Sequence, residues 1–217
     1  MSTKAYLSAI VLAISGTAFA ADVVSANIVG YITVTAPKAL FTIIANQLDN
    51  GKGNKVGDLI PSALNGTVLY KYGAAGYELN TAETIGAVTT WDDPAATLKP
   101  GEACFVLSPN GEQKFTFAGD VKGINGESSF APTLVKKAFT LVSSVVPVET
   151  KAKDLGLPVV NGDVIYTYLN PGGYVLNTFE AGVGFDSPDD LIKVGEGFFV
   201  NSAADANRVW NRVFNVN

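Results

Sequence analysis

Val68-Leu69-Tyr70-Lys71-Tyr72, Gly73-Ala74-Ala75-Gly76, then Tyr77-Glu78-Leu79-Asn80-Thr81 is the stretch on which the fold turns. Two β-branched and aromatic runs flank a glycine-bearing loop, which is a hairpin signal. The stretch then returns. Val164-Ile165-Tyr166-Thr167-Tyr168 is followed by Asn170-Pro171-Gly172-Gly173 and Tyr174-Val175-Leu176-Asn177-Thr178.

The repetition extends outward in both directions. Phe41-Thr42-Ile43-Ile44 matches Phe139-Thr140-Leu141-Val142, and Asp58-Leu59-Ile60-Pro61 matches Asp154-Leu155-Gly156-Leu157-Pro158. Trp91-Asp92-Asp93-Pro94 matches Phe185-Asp186-Ser187-Pro188, and Gly101-Glu102-Ala103-Cys104-Phe105-Val106 matches Gly195-Glu196-Gly197-Phe198-Phe199-Val200. The order is collinear and the gaps are small, which is the mark of a duplicated domain-sized unit. The predicted fold is all-β: two tandem copies of a small antiparallel β-sandwich or partly open barrel. About six strands are expected in each copy. Lys55–Ile60 and Lys151–Leu157 each allow one short helical turn, stopped by Pro61 and Pro158.

The divisions expected are 1–20 as a signal peptide, 21–122 as the first β unit and 123–217 as the second. Lys4, the apolar run Ala5–Ile14 and the small-x-small Ala18-Phe19-Ala20 read as a Sec leader cut before Ala21. Export is thus expected, to the periplasm, the outer surface or the medium. The chain carries a net charge of −5, and loss of Lys4 makes it more acidic. That balance argues against nucleic-acid or anionic-membrane partners, and no later apolar run is long enough for a transmembrane helix. There is one Cys and no His. An internal disulfide is excluded, and so are His-dependent acid–base and triad chemistries.

Several clusters remain to be weighed. The acidic turns Asp92, Asp93, Asp186, Asp189 and Asp190 are oxygen-rich enough for calcium, but Asp before Pro is also a common turn opener. No other cofactor is expected. Glu102 and Glu196 follow glycine at matching turns; paired carboxylates are what glycoside hydrolysis needs, while a solvated turn residue beside Lys99 or Lys193 is the simpler role. Cys104 stands where the second copy has Phe198, which fits a buried apolar thiol. The rows Tyr70, Tyr72, Tyr77 and Tyr166, Tyr168, Tyr174 offer rings for stacking on sugars, or for packing at a core edge. Arg208, Trp210 and Arg212 near the C-terminus read as an interface anchor or as charges guarding an edge strand.

The pattern Phe-Thr-Ile/Leu-Ile/Val, Tyr-x-Tyr, Gly-Tyr, acidic turn and Gly-Glu-x-Phe/Cys-Phe-Val, with the opening Ser25-Ala26-Asn27-Ile28-Val29-Gly30-Tyr31, resembles a repeat in uncharacterised exported bacterial proteins of the verrucomicrobial and planctomycete type. The resemblance covers nearly all of the mature chain and implies structure rather than chemistry. The expected function is that of a non-enzymatic exported structural or surface-assembly protein. Its partners are other copies of itself or cell-envelope components, through the terminal strands 28–35 and 208–216. The alternatives are a carbohydrate-binding module using the tyrosine rows and an acid-only glycosidase.

Overall fold

A computed structural model of the chain describes residues 28–124 and 129–213. The expected leader 1–20, Ser25–Asn27 of the opening motif, residues 125–127 of the seam between units, and Phe214 and Val216 of the expected last strand lie outside the described residues.

The first half holds eight strands: β1 (Val29–Ala36), β2 (Phe41–Ala45), β3 (Leu48–Asp49), β4 (Val68–Gly73), β5 (Gly76–Ile85), β6 (Val88–Trp91), β7 (Ala103–Leu107) and β8 (Gln113–Val121). The second holds β9 (Thr133–Leu134), β10 (Phe139–Val142), β11 (Thr150–Lys151), β12 (Val164–Tyr168), β13 (Tyr174–Glu180), β14 (Gly184–Phe185), β15 (Leu191–Ile192), β16 (Phe198–Asn201) and β17 (Arg208–Val209). These exceed the six per unit read from sequence because several are two-residue pairings, too short to leave a periodic signal. The helical turns fall where proline stops them, as an α-turn at Val56–Leu59 and a 3-10 turn at Ala152–Asp154.

Each half is built on a five-stranded antiparallel sheet. The orders are β2-β7-β4-β5-β6 and β10-β16-β12-β13-β14, strand for strand the same. A smaller sheet, β1-β8-β3, covers one face of the first; the short β17-β9 and β11-β15 pairs accompany the second. None of these sheets closes into a barrel. Side chains alternate across each strand, so every large sheet has two faces with different tasks. On the inner face of the first, Ile44, Leu69, Cys104 and Val106 pack against Ile32, Phe115 and Phe117 of the small sheet. On the matching face of the second, Val142, Ile165, Phe198 and Val200 pack with Leu134, Leu155 and Trp210.

The opposite faces meet each other. Ile43, Ala45, Ala103 and Phe105 of the first sheet form one buried cluster with Leu141 and Phe199 of the second. The join is close to two-fold. The Ala45 N–H donates to Gly195 O at 2.9 Å, and its counterpart, the Ser143 N–H, donates to Gly101 O at 2.8 Å. The sheets approach closely at Gly197, the counterpart of Ala103. A Cβ there would sit 2.3 Å from the Ala103 Cβ and 2.8 Å from Ile43 Cγ2, so a glycine is needed for contact.

The turns repeat as well. Asn80 Nδ2 donates to Asp93 O (2.7 Å) and its Oδ1 accepts from the Asp93 N–H (3.0 Å). Asn177 bonds Ser187 in the same two ways, at 2.7 and 2.9 Å. Each half also carries one tryptophan that donates to the end of its helical turn, from different positions: Trp91 Nε1 to Ile60 O (2.8 Å) and Trp210 Nε1 to Leu155 O (3.1 Å).

Candidate aromatic site

The hairpins β4–β5 and β12–β13 place their tyrosines on the faces that meet. Tyr70 pairs across the ladder with Leu79, and Tyr72 with Tyr77; Tyr166 pairs with Leu176, and Tyr168 with Tyr174. Tyr70 and Tyr72 on β4, with Tyr77 and Leu79 opposite them on β5, share the face of Ile43 and Phe105 on the adjoining strands, whereas Leu69 and Ala82 face the core of their own half.

The result is a chain of edge-to-face rings. Tyr72 of the first half contacts Phe199 of the second at 5.2 Å, and Phe105 contacts Tyr168, also at 5.2 Å. These two contacts exchange equivalent residues, which is what a two-fold join requires. Outward from them, Phe41 meets Tyr70 at 5.4 Å and Phe139 meets Tyr166 at 5.3 Å. Such pairs add about 0.5–1.5 kcal/mol each beyond area burial.

Packing uses only part of this surface. A cleft of about 340 Å³ opens beside the join, lined by Phe41, Tyr70, Tyr77, Phe105, Tyr168 and Tyr174 alone. Tyr70, Tyr72, Tyr166 and Tyr168 are half-buried, and Tyr77 and Tyr174 remain exposed at the rim with Leu79 and Leu176. The Tyr77 phenol is raised above its ordinary pKa by burial and then by its neighbours Tyr174 and Tyr72; Tyr174 is raised by burial and by Tyr168. Both hydroxyls therefore stay protonated at neutral pH and donate as well as accept hydrogen bonds. The six tyrosines singled out in the sequence are thus brought together, four as walls of the join and two as its open lip. The sequence did not place Phe41, Phe105, Phe139 and Phe199 with them, although their position on the same strand parity as Ile43 and Leu141 is the signal that finds them.

The acidic turns are occupied by backbone donors. Asp92 Oδ2 accepts the Thr81 N–H (3.2 Å), and Asp93 Oδ1 accepts those of Ala95 and Ala96 (2.9 and 3.1 Å). Asp186 Oδ2 accepts the Thr178 N–H (3.3 Å), and Asp190 takes the Asn177 amide (3.5 Å). Asp189 instead pairs with Lys153 and Lys151 at 2.8 and 3.0 Å, and their hydrogen bonds hold its carboxyl below the usual range. Among the described residues no group of three or more acidic, Cys or His side chains forms a metal cage.

Glu102 and Glu196 close their turns in the same way, accepting the N–H of Lys99 (2.7 Å) and Lys193 (2.9 Å). They line separate cavities and so do not form the facing pair that hydrolysis of a glycoside uses. Burial raises the Glu196 carboxyl above its ordinary 4.5, opposed by the Lys193 N–H and charge. Between that ordinary value and the raised one, the folded chain holds more protons than the unfolded one. The contribution to stability is therefore present at low pH and lost as pH rises through the raised value. Urea midpoints measured from pH 4 upward should lose this falling component in Glu196→Gln; an unchanged profile would contradict it. Cys104 is fully buried, which pushes its thiol up to about 12 and leaves it inert as a nucleophile.

Arg208, Trp210 and Arg212 differ from the expected surface anchor or edge guard. Trp210 is 1 % exposed and lies in the core of the second half against Phe198. Arg208 Nη1 lies 2.7 Å from Asp163 Oδ2, itself almost fully buried. Arg212 donates to Ser144 Oγ (3.0 Å) and Thr150 Oγ1. Arg208, Trp210 and Arg212 alternate with the exposed Val209 and Val213, and the β17–β9 pairing, continued by the Trp210 N–H to Pro132 O, turns their parity toward the second half.

No protein-family model, curated protein or solved structure matches the chain.

Proposed function

We propose that this chain is an exported, non-enzymatic protein of the structural or surface-assembly kind, with copies of itself or cell-envelope components as its partners. The observation that carries the reading is what the fold does with its reactive groups. The turn aspartates, both glutamates and the arginines serve turns, hydrogen bonds and ion pairs, while the uncharged edge at β1 stays open. β1 is the outermost strand of its sheet. The Val121 N–H donates to Ile28 O, so even-numbered residues of β1 pair inward, and Val29, Tyr31, Thr33 and Thr35 aim their backbone groups outward. Tyr31 is 77 % exposed, and no charged residue interrupts Val29–Ala36. An uncharged eight-residue edge is a template for strand addition. Light scattering on residues 21–217 at rising concentration is expected to show dimers or larger species, and Tyr31→Lys to reduce them. A strict monomer at every concentration overturns the reading.

A second reading, carbohydrate recognition, is favoured by the cleft itself. Six aromatic rings with phenolic rims give apolar faces and polar edges together, the complement of a pyranose ring. A glycan array should then show binding that Tyr77→Ala and Tyr174→Ala remove. These two serve better than Tyr72 and Tyr168, whose loss would also damage the join. A clean negative with the unaltered chain retires this alternative.

A further inference from the structure

The two halves act as internal controls for one another, and beside one pair of matching glutamates they differ in charge. In the first half, Lys71 on β4 reaches the turn at Lys99–Glu102. Its Nζ lies 2.9 Å from Glu102 Oε2 and donates to Thr97 O, also at 2.9 Å. In the second half the scaffold is the same: β12 stands for β4, the Lys193–Glu196 turn for Lys99–Glu102, and Glu196 Oε2 makes the same bond to the turn's N–H. The residue at the Lys71 position is Thr167, paired with Val175 where Lys71 pairs with Glu78. A threonine cannot span that gap. Among the described residues no cationic nitrogen lies within 4.0 Å of Glu196.

Space stands beside the carboxylate that lacks its lysine. A cavity of about 270 Å³ is bounded by Val34, Thr35, Thr42, Ile43, Tyr168, Asn170 and the turn Lys193–Glu196. Asn170 Nδ2 donates to Thr42 Oγ1 at 3.2 Å, which leaves the Asn170 carbonyl oxygen and the Thr35 and Tyr168 hydroxyls as further acceptors. An ammonium has three donors and no acceptor, and Glu196 with these oxygens meets that demand. Val34, Ile43 and the Tyr168 ring offer apolar contact to an alkyl arm, as lysine stems require.

We propose that the Glu196 cavity takes a primary ammonium group on an unbranched alkyl arm, which gives this carboxylate the cationic partner that Glu102 has in Lys71. The inference stands apart from the glycan reading. Burial already disfavours the bare Glu196 carboxylate, so an arriving cation relieves that cost through a charge-assisted bond. Lys193 is the one cation in the cavity lining, and its side chain is the competitor for the same place.

The test uses n-butylamine, which carries the lysine arm and ammonium alone, with n-butanol as the uncharged control. Both are titrated into the mature chain while the NMR shifts of the Glu196 carboxyl carbon and the Lys193 amide are followed. The expected result is a saturating response to butylamine, at least about tenfold weaker for butanol and for Glu196→Gln. Thr167→Lys should supply the ammonium in cis and abolish the response. N-acetyl-lysine-N-methylamide then separates the sources: binding as tight as butylamine points to a lysine side chain presented by a protein, and weaker binding to a small free amine. A response equal for butanol, unchanged by Glu196→Gln, or linear without saturation overturns the proposal. If Thr167→Lys fails to fold, Lys71→Ala serves instead, because it frees Glu102 beside the matching cavity of about 420 Å³ and should gain a second butylamine response; no gain there counts against the geometry.

Discussion

Asp163→Ala is expected to cost the folded chain about 3–5 kcal/mol, because it strands a buried guanidinium. Asp163 is almost wholly enclosed. Its Oδ2 accepts the Val160 N–H at 2.9 Å and pairs with Arg208 at 2.7 Å, and its Oδ1 accepts the Ala203 N–H at 2.7 Å. Arg208 also donates to Pro158 O and to Ser202 Oγ. The first half solves the same problem without charge. Gln113 takes the place of Arg208 and Thr67 that of Asp163; Gln113 Oε1 accepts from Thr67 Oγ1 and from the Leu64 N–H, both at 3.1 Å, and its Nε2 donates to Ser62 O at 3.4 Å. The double variant Asp163→Thr/Arg208→Gln should therefore recover most of what either single change loses. Recovery stops short of complete because Ala203 stands where the first half has Pro109, and its N–H loses its acceptor. Urea melts of the two singles and the double measure the coupling directly. Additive losses would mean the pair does not act as a unit.

Phe199→Ala is expected to cost about 3–5 kcal/mol through the cavity it leaves, even though Phe199 belongs to neither half's own core. Its ring meets Tyr72 across the join at 5.2 Å, Phe105 at 6.2 Å and Phe139 at 6.0 Å. Phe105 holds the equivalent place in the other sheet, with Tyr168 at 5.2 Å. Phe105→Ala should therefore cost a similar amount, and the double variant less than the sum, since the two rings share one contact. Denaturant midpoints settle this. Losses within about 0.5 kcal/mol, as for an ordinary surface position, would mean the halves do not depend on each other.

Much of the fold was legible in the sequence because it is locally determined. The alternation in Val68–Tyr72 and Lys114–Phe117, the loops Gly73–Gly76 and Asn170–Gly173, and the prolines at 61 and 158 each mark a strand, turn or stop by their own chemistry. The match of Cys104 with Phe198 likewise located a buried position. What stayed hidden depends on how two elements distant in sequence meet. Period-two spacing puts Tyr70 and Tyr72 on one face but does not say that this face meets its own duplicate. The charges of Arg208 and Arg212 suggested an exposed strand; their acceptors, Asp163, Ser144 and Thr150, lie more than 40 residues away. A clue was present nonetheless. Thr67 and Gln113 are exchanged for Asp163 and Arg208 between the copies, a paired change that reads as contact once the halves are aligned. The vacancy at Glu196 has the same origin, since Lys71 is informative only beside Thr167.

The face-to-face join of the two sheets carries the aromatic cleft and brings the Glu196 turn against the first half. Its most direct test is a nuclear Overhauser measurement on selectively labelled Phe and Tyr rings in dilute solution. Cross-peaks between Tyr72 and Phe199 and between Phe105 and Tyr168, unchanged on dilution, are the predicted result. Their absence while the hairpin pairs Tyr72–Tyr77 and Tyr168–Tyr174 remain visible would contradict the account.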